Sequence, residues 1–287
     1  MTDVALPKRV PVARRARSVG KHVVLILASL VMIYPLLWLV VSSFKPNDQI
    51  FANLSIFTTN LTTVNYVDGW TVQGHPFSLY LFNSFVISAL AIVGNLFSCS
   101  LAAYAFARLK FAGRNVFFAI MLMTIMLPFQ VVLVPQFTIY KMLGWLNSLL
   151  PLVVPKFLAS EAFFIFLMVQ FIRALPKEIF EAAQIDGAGT FAQFRRIALP
   201  LMVPALATTS IFTFIWTWAD FFGPLLYLRE APQFTVAVAL KFFIDAQSSS
   251  NYGGMFAMSV VSLIPLFVVF LFGQKYLIKG FATTGIK

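Results

Sequence analysis

Hydrophobic and polar positions follow one another along this chain in long blocks. Apolar runs of roughly 20 residues, the length that carries a helix across a bilayer core, are parted by shorter polar stretches. Six spans are expected, at about residues 23–44, 81–107, 116–139, 157–171, 201–226 and 256–272. Pro128 and Pro135 interrupt the third. Before the fourth, Pro151, Pro155, Lys156 and Glu161 cluster, so residues 149–155 are expected as an interfacial or re-entrant piece. An even number of spans places both termini on one side.

Composition agrees. Of the 287 residues 60% are hydrophobic and 11% charged, against about 25% charged in an ordinary soluble domain. Mean hydropathy is +0.87. A net charge of +11 would suggest a nucleic-acid partner for a soluble protein, but here its distribution matters more. Lys8, Arg9, Arg14, Arg15, Arg17 and Lys21 precede the first span. Arg108, Lys110 and Arg114 lie between spans two and three. Arg173, Lys177, Arg195 and Arg196 lie between four and five, and Lys275, Lys279 and Lys287 follow six. The opposite side holds only Lys45, Lys141, Lys156, Arg229 and Lys241. Basic loops stay in the cytoplasm, so both termini are expected there. The expected organisation is a cytoplasmic arm at 1–22, a six-span domain at 23–272 and a cytoplasmic tail at 273–287 of an integral membrane protein. No role in nucleic-acid binding is assigned to the arm.

Catalytic chemistry finds little footing. Cys99 is alone in an apolar run. His22 and His75 lie at a membrane edge and in a polar loop, with no spacing that suits a metal. H-E-x-x-H is absent. Glu161 and Asp220 are the acids in or near spans, and both sit toward the external face, where a carboxylate pair is possible but not indicated. No G-x-x-x-x-G-K-[ST] occurs, so any drive by ATP must come from another protein. The chain is expected to be neither an enzyme nor the holder of a cofactor or metal.

One polar stretch stands out. EAAQIDGAGTFAQFRRIALP, residues 181–200, lies in a cytoplasmic loop that spans 176–200. Pro176 suits the first position of a helix. Ile179, Ala182, Ala183 and Ile185 offer a largely apolar surface, while Glu178, Glu181 and Gln184 are polar. Gly187 and Gly189 bend the chain. A second short helix then carries Phe191, Phe194 and Ile197 against Gln193, Arg195 and Arg196, and Pro200 marks entry to span five. The loop is either a rigid knob at the base of the bundle or an amphipathic segment resting on headgroups.

The motif E-A-A-x3-G-x9-I-x-L-P, here Glu181, Ala182, Ala183, Gly187, Ile197, Leu199 and Pro200, resembles the EAA loop of ABC-importer permeases. Pro176-Lys177-Glu178, Asp186-Gly187, Pro204-Ala205 and FTFIWTWADFFGPLLYL at 212–228 resemble the MalG-type, carbohydrate-importing branch. The likeness covers nearly the whole chain. It implies an all-α, six-helix permease of the type I ABC-importer fold. It further implies a second, MalF-like permease subunit, two ATP-binding subunits that hold ATP and Mg, and an extracytoplasmic sugar-binding protein. External segments 45–80 and 226–254 would meet that protein. Glu178, Glu181, Ala182, Ala183, Asp186, Gly187, Arg195, Leu199 and Pro200 would form the ATPase-coupling surface. The family's W-N-D-F is Trp218-Ala219-Asp220-Phe221 here, without the amide. Its G-A-x-K-G tail is replaced by Thr283-Thr284-Gly285-Ile286-Lys287.

The solute path draws on Trp216, Trp218, Asp220, Phe221, Glu161, Asn95 and Gln130. The aromatics can stack on sugar rings or serve as belt and packing residues. Asp220 can face the path or cap a helix end. Asn95 and Gln130, with Asn83, Gln136 and Gln170, can be interhelical glue or path polars. The rival functions are a permease of the same superfamily for another solute, such as a glycerol phosphodiester, and a stand-alone secondary carrier.

The basic bias yields a topological test. Thr190→Cys, in a Cys99→Ser background, is expected to react with a membrane-impermeant maleimide in inverted vesicles and to be silent in right-side-out ones. External labelling would overturn both the topology and the cytoplasmic placement of the 176–200 loop.

Overall fold

The computed structural model describes residues 12–244 and 250–282, with side chains placed from Gly20 to Tyr276 within them. The first eleven residues of the basic arm, the departure in the tail at 283–287 and positions 245–249 of an expected external segment lie outside the described residues.

In chain order the helices are α1 (Val12–Ser42), α2 (Val64–Gly69), α3 (Phe77–Arg108), α4 (Arg114–Thr124), α5 (Phe129–Met142), α6 (Leu150–Val153), α7 (Ala162–Ala174), α8 (Lys177–Ile185), α9 (Thr190–Gln193), α10 (Leu199–Leu201), α11 (Val203–Ala219), α12 (Phe222–Tyr227), α13 (Val236–Lys241) and α14 (Tyr252–Ala282). A two-residue antiparallel pair, β1 (Thr71–Val72) and β2 (His75–Pro76), closes a tight turn before α3. Four stretches are long and apolar enough to span: Gly20–Ser42, Phe77–Arg108, Leu150–Ala174 and Tyr252–Tyr276. Two bent pairs, α4 with α5 and Thr190–Leu201 with α11, raise the number to as many as six. The fold is an all-α membrane architecture.

The departures from the expected spans have local causes. The third bends by 102° between α4 and α5. Pro128, at φ −60° and ψ 131°, lacks an N–H and disfavours helix in the residue before it. The fourth needs its preamble: α7 has 13 residues, a rise of about 20 Å, short of a bilayer core of about 30 Å. Residues 150–158, as α6 and a 3₁₀ turn, precede it. The fifth ends at Ala219 rather than near 226, because Asp220 turns extended at ψ 121°. Its carboxylate then accepts the N–H of Gly223 in the first turn of α12 (3.2 Å).

Contacts group the described residues into two compact units: those up to Gly69 with Asn251–Val260, and Trp70–Ser250 with those from Val261 onward. In the larger unit α3 is the central rod, packed against α7 and α11. Its core joins Cys99, Ala103 and Tyr104 of α3 to Phe164, Met168 and Ile172 of α7, with Phe180, Phe194, Ala198 and Met202 closing one end.

The smaller unit is organised by a cation. Lys45 is 0% exposed, and its ammonium donates to the carbonyls of Asn53 (2.6 Å) and Ser55 (2.7 Å). Asn65 donates to the carbonyls of Ser43 (2.9 Å) and Lys45 (2.7 Å), satisfying acceptors just beyond the C-terminal end of α1. Phe51 packs edge-on against Tyr252, and Trp38 against Phe256. Lys45→Met would remove the donor that ties the carbonyls of Asn53 and Ser55 to the end of α1. Limited proteolysis within residues 46–63 is expected to run several-fold faster than in the wild type. An unchanged cleavage rate would show that the ammonium does not hold this segment.

Candidate functional site

The 176–200 loop folds as a helix–turn–helix. Pro176 stands at the N-cap position, with ψ 134°, one place before the first helical residue expected for it. Its extended ψ leaves Lys177 to open α8. Glu178 then lies in the first turn, where the helix dipole favours an anion. The outward face carries Glu181, Ala182 and Ile185, with Ile185 87% exposed. The buried anchor on α8 is Phe180, at 6%, rather than the Ile and Ala positions.

The bend is a Schellman turn. The N–H of Gly187 donates to the carbonyl of Gln184 (3.1 Å), and that of Ala188 to the carbonyl of Ala183 (2.9 Å), the pair of bonds that closes a helix on a left-handed residue. Gly187 has φ +79°. The Gln193 amide donates to the carbonyl of Ala188 (2.8 Å) and ties α9 back to the turn. Residues Phe194–Ala198 are wound as a wide π turn. Phe194 is buried against Tyr104 at 5.3 Å, while Phe191 is 68% exposed. Arg195, Arg196 and Pro200 are exposed, and Leu199 is half-buried.

Arg108 ties this knob to the bundle. It ends α3, and its guanidinium donates to the carbonyls of Ile172 (2.8 Å) and Leu175 (2.9 Å), the last turn of α7 and the residue after it. It also lies over the ring of Phe180, 4.1 Å from the centroid. One cation thus joins α3, α7 and α8, an arrangement that a planar, multi-donor group suits. Sequence reasoning used Arg108 only as a topological charge. No pattern marks it, because its partners are backbone carbonyls more than sixty positions away.

A second feature is a cleft of about 420 Å³ where the fourth and fifth spans break. It gathers Glu161, Asp220 and Trp216 from the sequence candidates and adds Lys156, Thr217 and Ala219, with Ile87, Phe129 and Leu152 among the apolar walls. Glu161 pairs with Lys156, not with Asp220. The Lys156 carbonyl accepts from Ser98 of α3 (2.6 Å), which pins this turn to the central rod. Trp216 stacks on Phe164 at 5.2 Å and keeps 46% of its surface exposed.

The other candidates lie elsewhere. Trp218 is buried, stacked on Phe214, and donates to the carbonyl of Ser262 (3.1 Å). Asn95 is buried and donates to the Thr213 hydroxyl (3.0 Å), joining α3 to α11. Phe221 packs edge-on against Phe222, and Gln130 is exposed on the first turn of α5. Among the described residues no three His, Cys, Asp or Glu side chains are placed to hold a metal.

The family model for the binding-protein-dependent transport system inner membrane component matches residues 94–283, which takes in the loop, its Arg108 clamp and the cleft residues from Phe129 to Pro224. The chain belongs to this family. This permease is similar to the arabinooligosaccharides transport system permease protein AraQ of Halalkalibacterium halodurans. The two are 33% identical over 90% of this chain and 92% of that one. It is also similar to the sn-glycerol-3-phosphate transport system permease protein UgpE of Yersinia enterocolitica, 31% identical over 93% and 96%. A bacterial ABC transporter involved in import of the acidic polysaccharide alginate shares the fold, with TM-score 0.80 and 23% identity over 95% of this chain and 99% of that one. The permease is accordingly a multi-pass, non-enzymatic component of an ABC importer in the inner membrane.

The turn at Gly187 makes a test of the knob. A Cβ there would meet nothing within 4 Å, so substitution probes backbone strain alone. A left-handed residue costs roughly 1–2 kcal/mol when it is not glycine, and β-branching worsens this. Gly187→Val is expected to lower solute uptake severalfold at equal membrane abundance, with Gly187→Asn milder because asparagine tolerates that conformation. Wild-type uptake by the valine variant would overturn the role of the turn.

Proposed function

We propose that this permease forms half of the translocation path of an ATP-driven importer of carbohydrate, and that the 176–200 loop couples it to a separate ATPase subunit. The observation that carries this is the two-faced knob. Phe180, Phe194 and the Arg108 clamp hold it to the bundle, while Glu181, Ile185 and Phe191 are turned outward, with no covering group among the described residues. Two large apolar side chains beside a carboxylate form a compact surface that a partner can desolvate. The resemblance of residues 181–200 to the EAA loop of ABC-importer permeases supports a nucleotide-binding partner. A MalF-like second permease completes the path. Two ATP-binding subunits hold ATP and Mg, and an extracytoplasmic binding protein delivers the solute. Both termini lie in the cytoplasm.

The resemblance to UgpE favours a second reading, in which the solute is a glycerol phosphate or its diester. The two readings share the coupling loop and differ only in cargo.

The coupling test uses the assembled transporter in proteoliposomes with its loaded binding protein, measuring ATP hydrolysis and solute entry together. A carboxylate accepts strong charge-assisted hydrogen bonds. Glu181→Lys removes the acceptor and repels a basic partner. The variant is expected to assemble its spans normally and to lose solute-stimulated hydrolysis, at least tenfold. Sustained uphill uptake by this chain without ATPase subunits, unaffected by Glu181→Lys, would overturn the importer function.

A further inference from the structure

We infer that the cleft around Trp216 and Asp220 is a solute-contacting subsite of this subunit itself, built for an uncharged, hydroxyl-rich sugar and set against anions. The inference rests on the importer function proposed above and names the cargo class that passes this point.

Chemistry and placement together support it. The lining charges are one ammonium and two carboxylates, Lys156, Glu161 and Asp220. Lys156 is paired with Glu161, so the three lining charges leave a surplus of one negative charge against a phosphate or a uronate. In the weakly screened setting of a membrane protein, that surplus repels an anion strongly. Carboxylates accept hydrogen bonds from sugar hydroxyls at no such cost. Trp216 supplies the apolar partner: its indole is half-exposed and braced by Phe163, Phe164 and Phe212 at 5.2–5.7 Å between ring centroids. A fixed aromatic face beside fixed acceptors matches the C–H face and hydroxyl rim of a pyranose or furanose.

The acceptors are held in place by the fold. Asp220 takes the N–H of Gly223, and any Cβ at Gly223 would lie 2.6 Å from the other Asp220 oxygen, so glycine is required for the carboxylate to fold over the start of α12. Lys156 and Glu161 flank a turn at Ala159, φ +54°, that Ser98 pins to α3. Ala219, where the related motif carries an amide, is exposed in the cleft and opens room between Trp216 and Asp220. About 420 Å³ is on the scale of small-molecule sites.

The test reads the cleft directly, without the binding protein. Ala219→Cys is introduced in a Cys99→Ser background, and the assembled transporter is held in nanodiscs. Cationic and anionic methanethiosulfonates of matched size are compared for rate. The cationic reagent is expected to react about tenfold faster, in the range over which charged clefts steer small ions. With Glu161→Gln and Asp220→Asn together, which keep the shapes and the Gly223 bond, the ratio is expected to fall to one or reverse. Arabinotriose is expected to slow the labelling several-fold, and its oxidised aldonate to protect less. In the double variant, where Lys156 is the lining charge that is left, the aldonate should protect as well as the neutral sugar or better. A faster anionic reagent in the wild-type cleft, a rate ratio unmoved by the double variant, or protection by the aldonate equal to or better than that by the neutral sugar would each overturn the inference. So would absence of protection by arabinotriose. Uptake in proteoliposomes, run alongside, separates the levels. Intact ATP-driven uptake with a failed labelling pattern removes the subsite and leaves the importer. Loss of ATP dependence removes the importer whatever the cleft does.

Discussion

A peptide group in hydrocarbon has no water to bond, so a membrane chain can leave the helical state only where side chains or other backbone groups take over. That constraint sets where this permease is built to do something. Several interruptions and ends of its spans have a named substitute. Asp220 receives the Gly223 N–H where the fifth span stops. Ser98 donates to the Lys156 carbonyl at the turn that precedes α7. Arg108 serves two carbonyls at the end of α7. In the other unit, Lys45 and Asn65 serve four carbonyls at the end of α1 and in the loop beyond it. The polar side chains that look misplaced in an apolar sequence are at the breaks because the breaks require them.

Much of this was legible before any coordinates. Block length and charge asymmetry lead to the helical membrane fold, since bilayer thickness imposes a length that composition reveals. The Schellman turn is also legible, because only glycine sits easily at φ +79° and the motif places Gly187 there. What could not be read depends on contacts far apart in sequence. Phe180 and Ile179 are neighbours of similar polarity, yet one is buried beneath Arg108 and the other exposed. Trp216 and Trp218 look alike in a run of aromatics. Two residues apart on a helix they point about 200° apart, so one faces the cleft and the other packs inward, bonded to Ser262. The pairing of Glu161 depended on whether a turn returns Lys156 to it, and Ala159 at positive φ supplies that turn.

The breaks also settle which parts can move as one. α11 runs unbroken for 17 residues from Val203 to Ala219, a rise of about 25 Å. One end leaves the π turn and the 73° bend that finish the 176–200 loop. The other carries Thr217 and Ala219 into the cleft, with Trp216 one residue earlier. This rod therefore runs from the bend that ends the proposed coupling loop to the proposed solute subsite. It is fastened to α3 along the way by the Asn95–Thr213 hydrogen bond. In the proposed coupling, a displacement of the knob reaches Asp220 through the 73° bend and then along that rod. Arg108 then has a mechanical meaning. By clamping α3 and α7 to α8 it gives the knob a fixed base on one side. In the mechanism proposed here, ATPase closure acts on a lever whose far end carries the carboxylate that faces the sugar.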